Sequence, residues 1–301
     1  EDGLRLMRLA RIAAETGFSP DEECLEGAKA NHTLIRDIVP ERIFQELCRI
    51  LLSDQKPGGK DGPYRGLSLL RETGVLHEIA PELALGDGLV QRKDFHQYDV
   101  LEHSLRCVRH SPPDIRFAAL LHDVGKPYCF YRDGSFHAHP EEGARLAGEM
   151  LARWKAPKKL TEETKELILL HMRDFDLRMR ESKVRRELAA HHALLEKLFA
   201  LKQADFSACR DDLSPAPTVV KWQGILTKMK KEGAPLTLAE LAVNGRDALD
   251  AGIPPHEVGN VLHLLLSDCA MGMAKNERAA LRKRLEKLAK KYQEKENVCP
   301  N

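Results

Sequence analysis

Apolar and polar positions alternate with a helical period along most of the chain. Near the start, Leu4, Met7 and Ile12 form an apolar stripe that ends at Gly17, and the Ser-Pro that follows is a usual stop for a helix. Similar helices are predicted at 41–53, at 66–76 and at the stretch marked by Leu281, Leu285 and Leu288. Because no stretch alternates with the period of a strand over a useful length, we predict an all-α, multi-helical fold.

The chain is predicted to contain three regions: 1–95, 96–212 and 213–301, with the break SPAPT near the start of the third. Its length of 301 residues is compatible with more than one domain, and 43% hydrophobic and 31% charged residues are ordinary for a soluble globular protein. The chain begins at Glu1, inside a helical pattern and without methionine, so we expect it to be a piece of something longer.

The distribution of apolar residues and cysteines bears on location. No apolar run approaches the roughly 20 residues of a membrane helix, and no signal-peptide pattern opens the chain, so we expect no membrane partner. The seven cysteines are odd in number, scattered and without a CxxC pair. This pattern argues against a disulfide framework and favours a reducing, cytoplasmic setting.

Charge is unevenly distributed along the chain. Residues 1–95 carry 13 Lys/Arg and 17 Asp/Glu, whereas 215–301 carry 14 and 10. Within the last region, 275–296 holds nine Lys/Arg and four Glu. A basic C-terminal region fits a polyanionic partner, although a solvated helical surface explains the same charges.

The stretch AALLHDVGKP places His122 and Asp123 side by side at the end of an apolar run. Burying both groups without partners costs several kcal/mol, on the order of 2–7 for a neutral polar group alone. We predict that Asp114 caps the helix before them and that Gly125 and Pro127 end it. His122 and Asp123 then fall in its last turn, aimed into a cleft.

Four other residues border or interrupt apolar helical stripes and have suitable side chains: His103, His139, His171 and Asp205. Imidazole and carboxylate together form a ligand set for Mn, Fe, Co, Ni or Zn, whereas Mg²⁺ needs no histidines. Any one of these histidines alone is more often a hydrogen-bonded core residue. The ordered series H…HD…H…H…D on successive helices is a stronger signal.

This series, with its HDVGK segment, resembles the HD superfamily of metal-dependent phosphohydrolases over about 103–205. The resemblance implies that four residues bind a first metal ion: His103, His122, Asp123 and Asp205. It also implies that His139 and His171 bind a second metal or the substrate phosphate, with His137 as an alternative to His139.

Two residues of this segment are candidates for catalysis. Asp123 lies next to a ligand and could orient or deprotonate a water molecule whose pKa the metal lowers. Lys126 could offset charge on a phosphate; alternatively, it is a cation at a helix C-terminus that interacts with the helix dipole.

The first helix carries a separate constellation, Asp2, Arg5 and Arg8, spaced three apart along one flank. A carboxylate only accepts hydrogen bonds and a guanidinium only donates them. Such a pair matches the amino donor and ring-nitrogen acceptor that cytosine and adenine share, and rejects guanine and uracil. A surface ion pair is the simpler interpretation.

The segment EDGLRLMRLARIAAETGF looks like the nucleotide-templating segment of bacterial CCA-adding tRNA nucleotidyltransferases, a family related to bacterial poly(A) polymerases. IVPERIFQELCRIL and SLLRETGVLHEIAPEL look like its neck and body helices, and PLTLAELAVNGRDALDAGIPPHEVGNVLHLLL is similar to its tRNA-binding tail. The resemblance implies that Asp2 and Arg5 read the base of CTP or ATP, with Arg8 nearby. It also implies that Asn244–Asp247 and the basic helix contact tRNA.

The family's catalytic head, a Gly-Ser turn and a strand with a DxD pair that binds Mg²⁺, has no counterpart here. The DxD formed by Asp174 and Asp176 lies in helical surroundings and is interpreted as part of the HD region or as a surface feature. We therefore expect Mg²⁺ with CTP or ATP to act only through a missing head, and this chain alone to add no nucleotides.

Three functions follow in order of preference. The first is the neck, body and tail of a CCA-adding enzyme with an embedded HD phosphohydrolase acting on small phosphate esters, including 2′,3′-cyclic phosphates. The second is a stand-alone HD phosphohydrolase, and the third is a non-catalytic RNA-binding helical protein.

Overall fold

The computed structural model describes residues 2–92 and 94–298, and the all-α prediction is confirmed: no strand occurs in these two ranges. The α-helices within them are α1 Leu4–Thr16, α2 Glu22–Ala30, α3 Pro40–Leu51, α4 Gly62–Glu72, α5 Val75–Ile79, α6 Pro81–Ala84, α7 Val100–His110, α8 Arg116–Leu121, α9 Gly125–Asp133, α10 His139–Arg153, α11 Lys158–Leu170, α12 Glu181–Ala190, α13 Leu195–Arg210, α14 Pro217–Lys231, α15 Gly245–Asp250, α16 Val258–Ala270 and α17 Arg278–Val298. Short 3-10 turns connect several of them.

The chain divides into two compact units. The first contains 1–173 and 196–216, and the second contains 174–195 and 217–301. The first unit thus combines the predicted region 1–95 with most of 96–212, while 174–195 falls in the second unit. The assignment of separate functions to three regions remains a prediction.

Helix α1 shows how the apolar stripe organises the first unit. Leu4 and Met7 are buried, and α1 packs against α3 and α4. The helix ends at Gly17, whose φ of 78° lies in the left-handed region and whose N–H donates to the carbonyl of Ala13. Ile12, which the pattern places in the stripe, is half exposed.

The chain around the His-Asp pair differs from its predicted course. Asp114 lies in a 3-10 turn and does not cap α8, which starts at Arg116 without a side-chain cap. Gly125 and Pro127 do not merely end a helix, because they form the first turn of α9. Proline is tolerated there, since the first N–H groups of a helix have no partner within it. His122 and Asp123 therefore occupy a turn between two helices.

The second unit has its own apolar core, built from α15, α16 and α17. Leu281 and Leu285 are fully buried in it, and Leu288 packs against it, as the heptad-like spacing predicts. Asn244 caps α15 by accepting from the N–H groups of Arg246 and Asp247, and the Asp247 carboxylate accepts from the Asn244 N–H. The two side chains thus satisfy backbone N–H groups that would otherwise lack partners at the start of α15.

Within the described ranges, none of the helices combines the length and apolar composition needed to cross a bilayer.

Candidate metal centre

A first cluster forms where α7, the turn after α8 and α13 meet. His103 of α7 places its Nε2 atom 3.2 Å from Nε2 of His122 and 3.0 Å from Oδ1 of Asp205. Oδ2 of Asp123 lies 3.2 Å from His122 Nε2 and 3.6 Å from His103 Nε2. Two imidazoles and two carboxylates, separated by up to 102 residues along the chain, therefore converge.

These separations suit ligands of one ion. With bonds of about 2.0–2.2 Å to nitrogen and oxygen, neighbouring ligand atoms lie ~3.0–3.5 Å apart. The distances from His103 Nε2 to His122 and Asp205 and from His122 Nε2 to Asp123 fall in that interval. The spacing of these three pairs is therefore compatible with ligands that share one ion.

A second cluster lies on the other side of the Asp123 carboxylate. His139, the first residue of α10, has its Nε2 atom 3.3 Å from Nε2 of His171, which directly follows α11. Oδ1 of Asp123 is 3.4 Å from His139 Nε2 and 3.7 Å from His171 Nε2. Asp123 thus faces the first cluster with one oxygen and the second with the other.

The protonation of the second cluster can be derived from its hydrogen bonds. Nδ1 of His139 lies 2.8 Å from the carbonyl of Phe136, and Nδ1 of His171 lies 2.6 Å from the carbonyl of Ile168. A carbonyl only accepts, so both Nδ1 atoms carry a proton. In the neutral form of such a ring the Nε2 atom, which here faces Asp123, holds the lone pair that a metal binds. In the part of the chain that the structure describes, Asp123 Oδ1 has no hydrogen-bond donor.

Three acceptors facing one another at this distance repel unless a cation lies between them. The donor set is nitrogen and oxygen, and the backbone carbonyls that hold Nδ1 fix the orientation of each ring, as in known metal sites. The residues present thus fit a metal ion, and the His/Asp group is a possible metal site.

In the first cluster, burial and neighbouring charged groups act in opposite directions on the pKa values of the ligand candidates. Burial opposes ionisation of Asp123 and Asp205, but the neighbouring histidines, together with Lys126 beside Asp123, keep the pKa of both carboxyl groups well below the ordinary value. Burial also acts against the charged form of His122, yet Asp123 raises its pKa well above the ordinary value. Because a metal ion binds the deprotonated imidazole nitrogen, binding at this cluster would compete with protonation of His122.

Lys126 and Lys202 hold the centre together. The Lys126 ammonium donates to Asp123 Oδ2 at 2.6 Å and to Gln91 Oε1 at 2.7 Å, and the side chain is buried. Lys202 of α13 donates to the carbonyls of His171 and Arg173, each at 2.6 Å. The helix that carries Asp205 is thereby fixed to the turn that carries His171.

The sequence leaves two alternatives open, one for Lys126 and one for His137 and His139. Lys126 cannot be the C-terminal cation of a helix, because it lies in the first turn of α9, near the positive end of the helix dipole. His137 is exposed, whereas His139 is buried in the second cluster, so the geometry favours His139 for the second set of ligands.

Gln91 and His96 were not predicted from the sequence, and Gly125 was predicted only to end a helix. Gln91 and His96 lie in the segment before α7 and line a cavity of about 400 Å³. The signal for His96 is its place seven residues before His103 in FHQYDVLEH. At Gly125 an added Cβ would lie 2.4 Å from the His139 carbonyl oxygen, so only glycine lets α9 approach the start of α10.

The templating candidates form a separate group at the start of α1. Asp2 Oδ2 lies 4.0 Å from Nη1 of Arg8 and 3.8 Å from Nη2 of Arg42, and Asp2 Oδ1 accepts from the N–H of Leu4. The side chains of Asp2 and Arg8 are 38% and 44% exposed, which leaves them open to a ligand, and Arg5 is exposed on the same helix. Arg42 was not foreseen, because it lies on α3.

Asp174 and Asp247, two other residues singled out in the sequence, make buried hydrogen bonds within the second unit. Asp174 is buried, belongs to the second unit and accepts from Lys221 Nζ at 2.7 Å and Trp222 Nε1 at 3.0 Å, so it is not a surface residue. Asp176 of the same DxD is exposed. Asp247 is buried in the α15 cap and is 2.8 Å from Nη2 of Arg278. Arg246 beside it is exposed and able to meet a phosphate.

Comparison with known proteins agrees with this organisation. Residues 17–85 match the family model described as "Probable RNA and SrmB- binding site of polymerase A", and residues 94–205 match the HD domain. The latter range contains every residue of both clusters.

The chain carries an HD domain and is homologous to tRNA nucleotidyltransferases. It is 31% identical to the A-adding tRNA nucleotidyltransferase of Deinococcus radiodurans over 90% of this chain and 65% of that protein. It is 34% identical to the CC-adding enzyme of Thermus thermophilus over 70% of this chain and 50% of that protein. A multifunctional CCA protein of Burkholderia mallei is 36% identical over 42% of the chain and 31% of its own length.

The resemblance inferred from the sequence motifs is thereby confirmed. The chain spans between one half and two thirds of the length of the first two of these relatives.

Proposed function

We propose that this chain selects nucleotides and binds tRNA within a tRNA nucleotidyltransferase, and that its HD domain is a metal-dependent phosphohydrolase. The observation that carries the second part is the Asp123 carboxylate, whose two oxygens face two histidine clusters. The first part is supported by the homology and by the match to an RNA-binding model.

In the HD domain, His103, His122, Asp123 and Asp205 would hold a first divalent metal, drawn from Mn, Fe, Co, Ni and Zn. His139 and His171, with Asp123 Oδ1, would hold a second ion or the substrate phosphate. When bound, such an ion supplies Lewis acidity toward a phosphoryl oxygen and lowers the pKa of water.

The protein's own groups have distinct tasks in this proposal. Asp123 orients the attacking water and is the candidate to accept its proton. Lys126 uses two of its three N–H donors on Asp123 and Gln91, so its third can contact a phosphate oxygen of the substrate. Because this pair is buried, bulk water is kept from the reacting centre.

Small phosphate monoesters and 2′,3′-cyclic phosphates are the proposed substrates of this site. We expect the chelator-treated protein to be inactive on them and to regain hydrolysis with Mn²⁺, Co²⁺ or Ni²⁺. Release of inorganic phosphate, or of the opened monoester from a cyclic phosphate, measures the reaction. Hydrolysis that persists undiminished in excess chelator would contradict a metal-dependent site.

For the tRNA nucleotidyltransferase part, Asp2, Arg5 and Arg8 would read the base of CTP or ATP, with Mg²⁺ acting through a catalytic head. Arg246 and the basic helix α17 would contact tRNA phosphates without reading sequence. A cytoplasmic location is proposed as well, since the described cysteines are free thiols.

We expect tRNA binding to weaken steeply with salt. If α17 neutralises about five phosphates, the affinity falls ~10²–10³-fold between 50 and 200 mM salt. Lys283→Glu with Lys287→Glu, both on the exposed face of α17, should reduce the slope of log K against log salt. Lys159→Glu, whose side chain is 88% exposed in the HD domain, is the matched control. A slope that the α17 variants and the control change equally would refute the role of α17.

A further inference from the structure

Beside the first cluster lies a third group of ligand atoms, from His96, His103 and Cys209, all within 4.8 Å of one another. The rings of His96 and His103 pack edge to face, with centroids 4.8 Å apart. Cys209 lies one helical turn after Asp205 on α13 and is half-buried. This group shares His103 with the first cluster but adds a sulfur atom that neither His/Asp cluster has.

Two ring nitrogens of this group lack hydrogen-bond partners. Among the residues that the structure describes, Nδ1 of His96 and Nδ1 of His103 are both buried and without a hydrogen bond. His103 is completely buried, and its Nε2 is already used toward His122 and Asp205. Leaving a buried nitrogen unsatisfied is unfavourable, so two in one place call for a ligand.

The Cys209 thiol makes only a weak bond, to the carbonyl of Asp205 at 3.4 Å. The Asp205 carbonyl lies four residues before Cys209 in α13. Any hydroxyl or thiol side chain in a helix can reach the carbonyl at that distance, so this contact does not explain why a cysteine stands at position 209. Cys209 is also a free cysteine, so its sulfur atom is not used in a disulfide. The sulfur is therefore free to take a metal.

We propose that His96, His103 and Cys209 form a third metal position, one that selects an ion accepting sulfur as well as nitrogen, such as Zn²⁺. The preference follows from the ligands, because thiolate favours Zn²⁺ over Mn²⁺ or Mg²⁺. Thiolate is the ligating form, so binding releases the Cys209 proton to solvent. If His103 also binds the first metal through Nε2, its Nδ1 proton is released as well and the ring bridges the two ions as an imidazolate.

The three atoms need a small adjustment to bind. Zinc bonds of about 2.0 Å to nitrogen and 2.3 Å to sulfur place the ligand atoms ~3.3–3.8 Å apart. Because no two of the ligand atoms are more than 4.8 Å apart, each pair needs to close by at most about 1–1.5 Å. His96 is on an irregular segment before α7 and borders the 400 Å³ cavity, which gives both the freedom to move and a path for the ion.

The test uses Co²⁺ in place of Zn²⁺, because thiolate ligation of Co²⁺ gives a charge-transfer absorption in the near ultraviolet that nitrogen and oxygen ligands do not give. The full chain, freed of metal with a chelator, is titrated with Co²⁺. We expect the charge-transfer band in the wild-type chain and its loss in Cys209→Ser. His96→Gln should weaken the Co²⁺ affinity reported by this band at least about tenfold, the lower end for a lost metal-site interaction.

Cys24→Ser is the matched control, since it makes the same change at an exposed thiol and should retain the band. A wild-type chain that binds Co²⁺ without the band, or a band that survives in Cys209→Ser, overturns the proposal. Circular dichroism of each variant ensures that the helices are intact. The absorption reports sulfur ligation and needs no hydrolysis, so its outcome is independent of the proposed enzymatic activity.

Discussion

Asp123→Asn should lower kcat/KM for metal-dependent hydrolysis of a phosphate ester by at least about 10³-fold, equivalent to ~4 kcal/mol of transition-state stabilisation. The amide keeps the volume of the carboxylate but removes the negative charge that faces four histidines and Lys126. The amide also replaces one carboxylate oxygen, an acceptor, with an NH₂ donor. That donor would face either the imidazole nitrogens of His139 and His171 or the Lys126 ammonium. Both clusters should lose metal affinity together, which calorimetric titration with Mn²⁺ measures.

Asp133→Asn is the control for that variant, because it makes the same change at an exposed residue ten positions away. Its kcat/KM should equal that of the unmodified chain. The helical signal in circular dichroism should be preserved in both. Wild-type hydrolysis by Asp123→Asn would remove Asp123 from the proposed centre.

In the absence of metal, the first unit should become less stable as the pH falls from 6 to 4.5. Burial lowers the pKa of His139 to about 3 and that of His96 to about 4, whereas both imidazoles titrate near 6.5 in the unfolded chain. In this window the unfolded state binds more protons, so the free energy of unfolding falls by about 1.4 kcal/mol per pH unit for each histidine. Over the window the two together amount to ~4 kcal/mol.

The other coupled groups do not cancel this trend. The pKa of Asp123 and of Asp205 lies well below the ordinary value, so their stabilisation is lost only at lower pH. The raised pKa of His122 gives a stabilisation that is complete below 6.5 and declines only at higher pH. The contributions of His139 and His96 therefore fall within the window from 6 to 4.5.

Urea unfolding in chelator at pH 6.0, 5.0 and 4.5 measures the effect. A Trp222→Phe background leaves Trp154, which is buried in the first unit, as the fluorescent reporter. Adding His139→Gln should halve the dependence on pH, and His137→Gln, at an exposed position, should leave it unchanged. Stability that stays level or increases on acidification would contradict the neutral, buried state of His139.

The sequence was informative where local rules decide the structure. The stripe of α1 and its stop at Gly17 depend on spacing and on a left-handed residue, and both are read directly from the chain. The burial of Leu281 and Leu285 follows from their periodicity in the same way. Ile12 departed from the pattern because periodicity gives the direction of a side chain but not the neighbour that covers it.

The site was less accessible to this reasoning. Six ligand candidates could be named because they border apolar helices in a recognisable order, but their division into two clusters on either side of Asp123 depends on packing. Gly125 and Pro127 suit a helix start as well as a stop, and the structure uses them as a start. Gln91 and His96 come from an irregular segment, whose course no periodic pattern determines.

The discontinuous first unit has a consequence for how the protein can be divided. Asp205 and Cys209 belong to 196–216, which the ribosome produces only after 174–195, a part of the second unit. A polypeptide that stops at 173 would lack the carboxylate opposite His103. Truncation at the first unit boundary therefore removes part of the candidate metal centre, and a nascent chain completes that group of side chains only after segments of both units have left the exit tunnel.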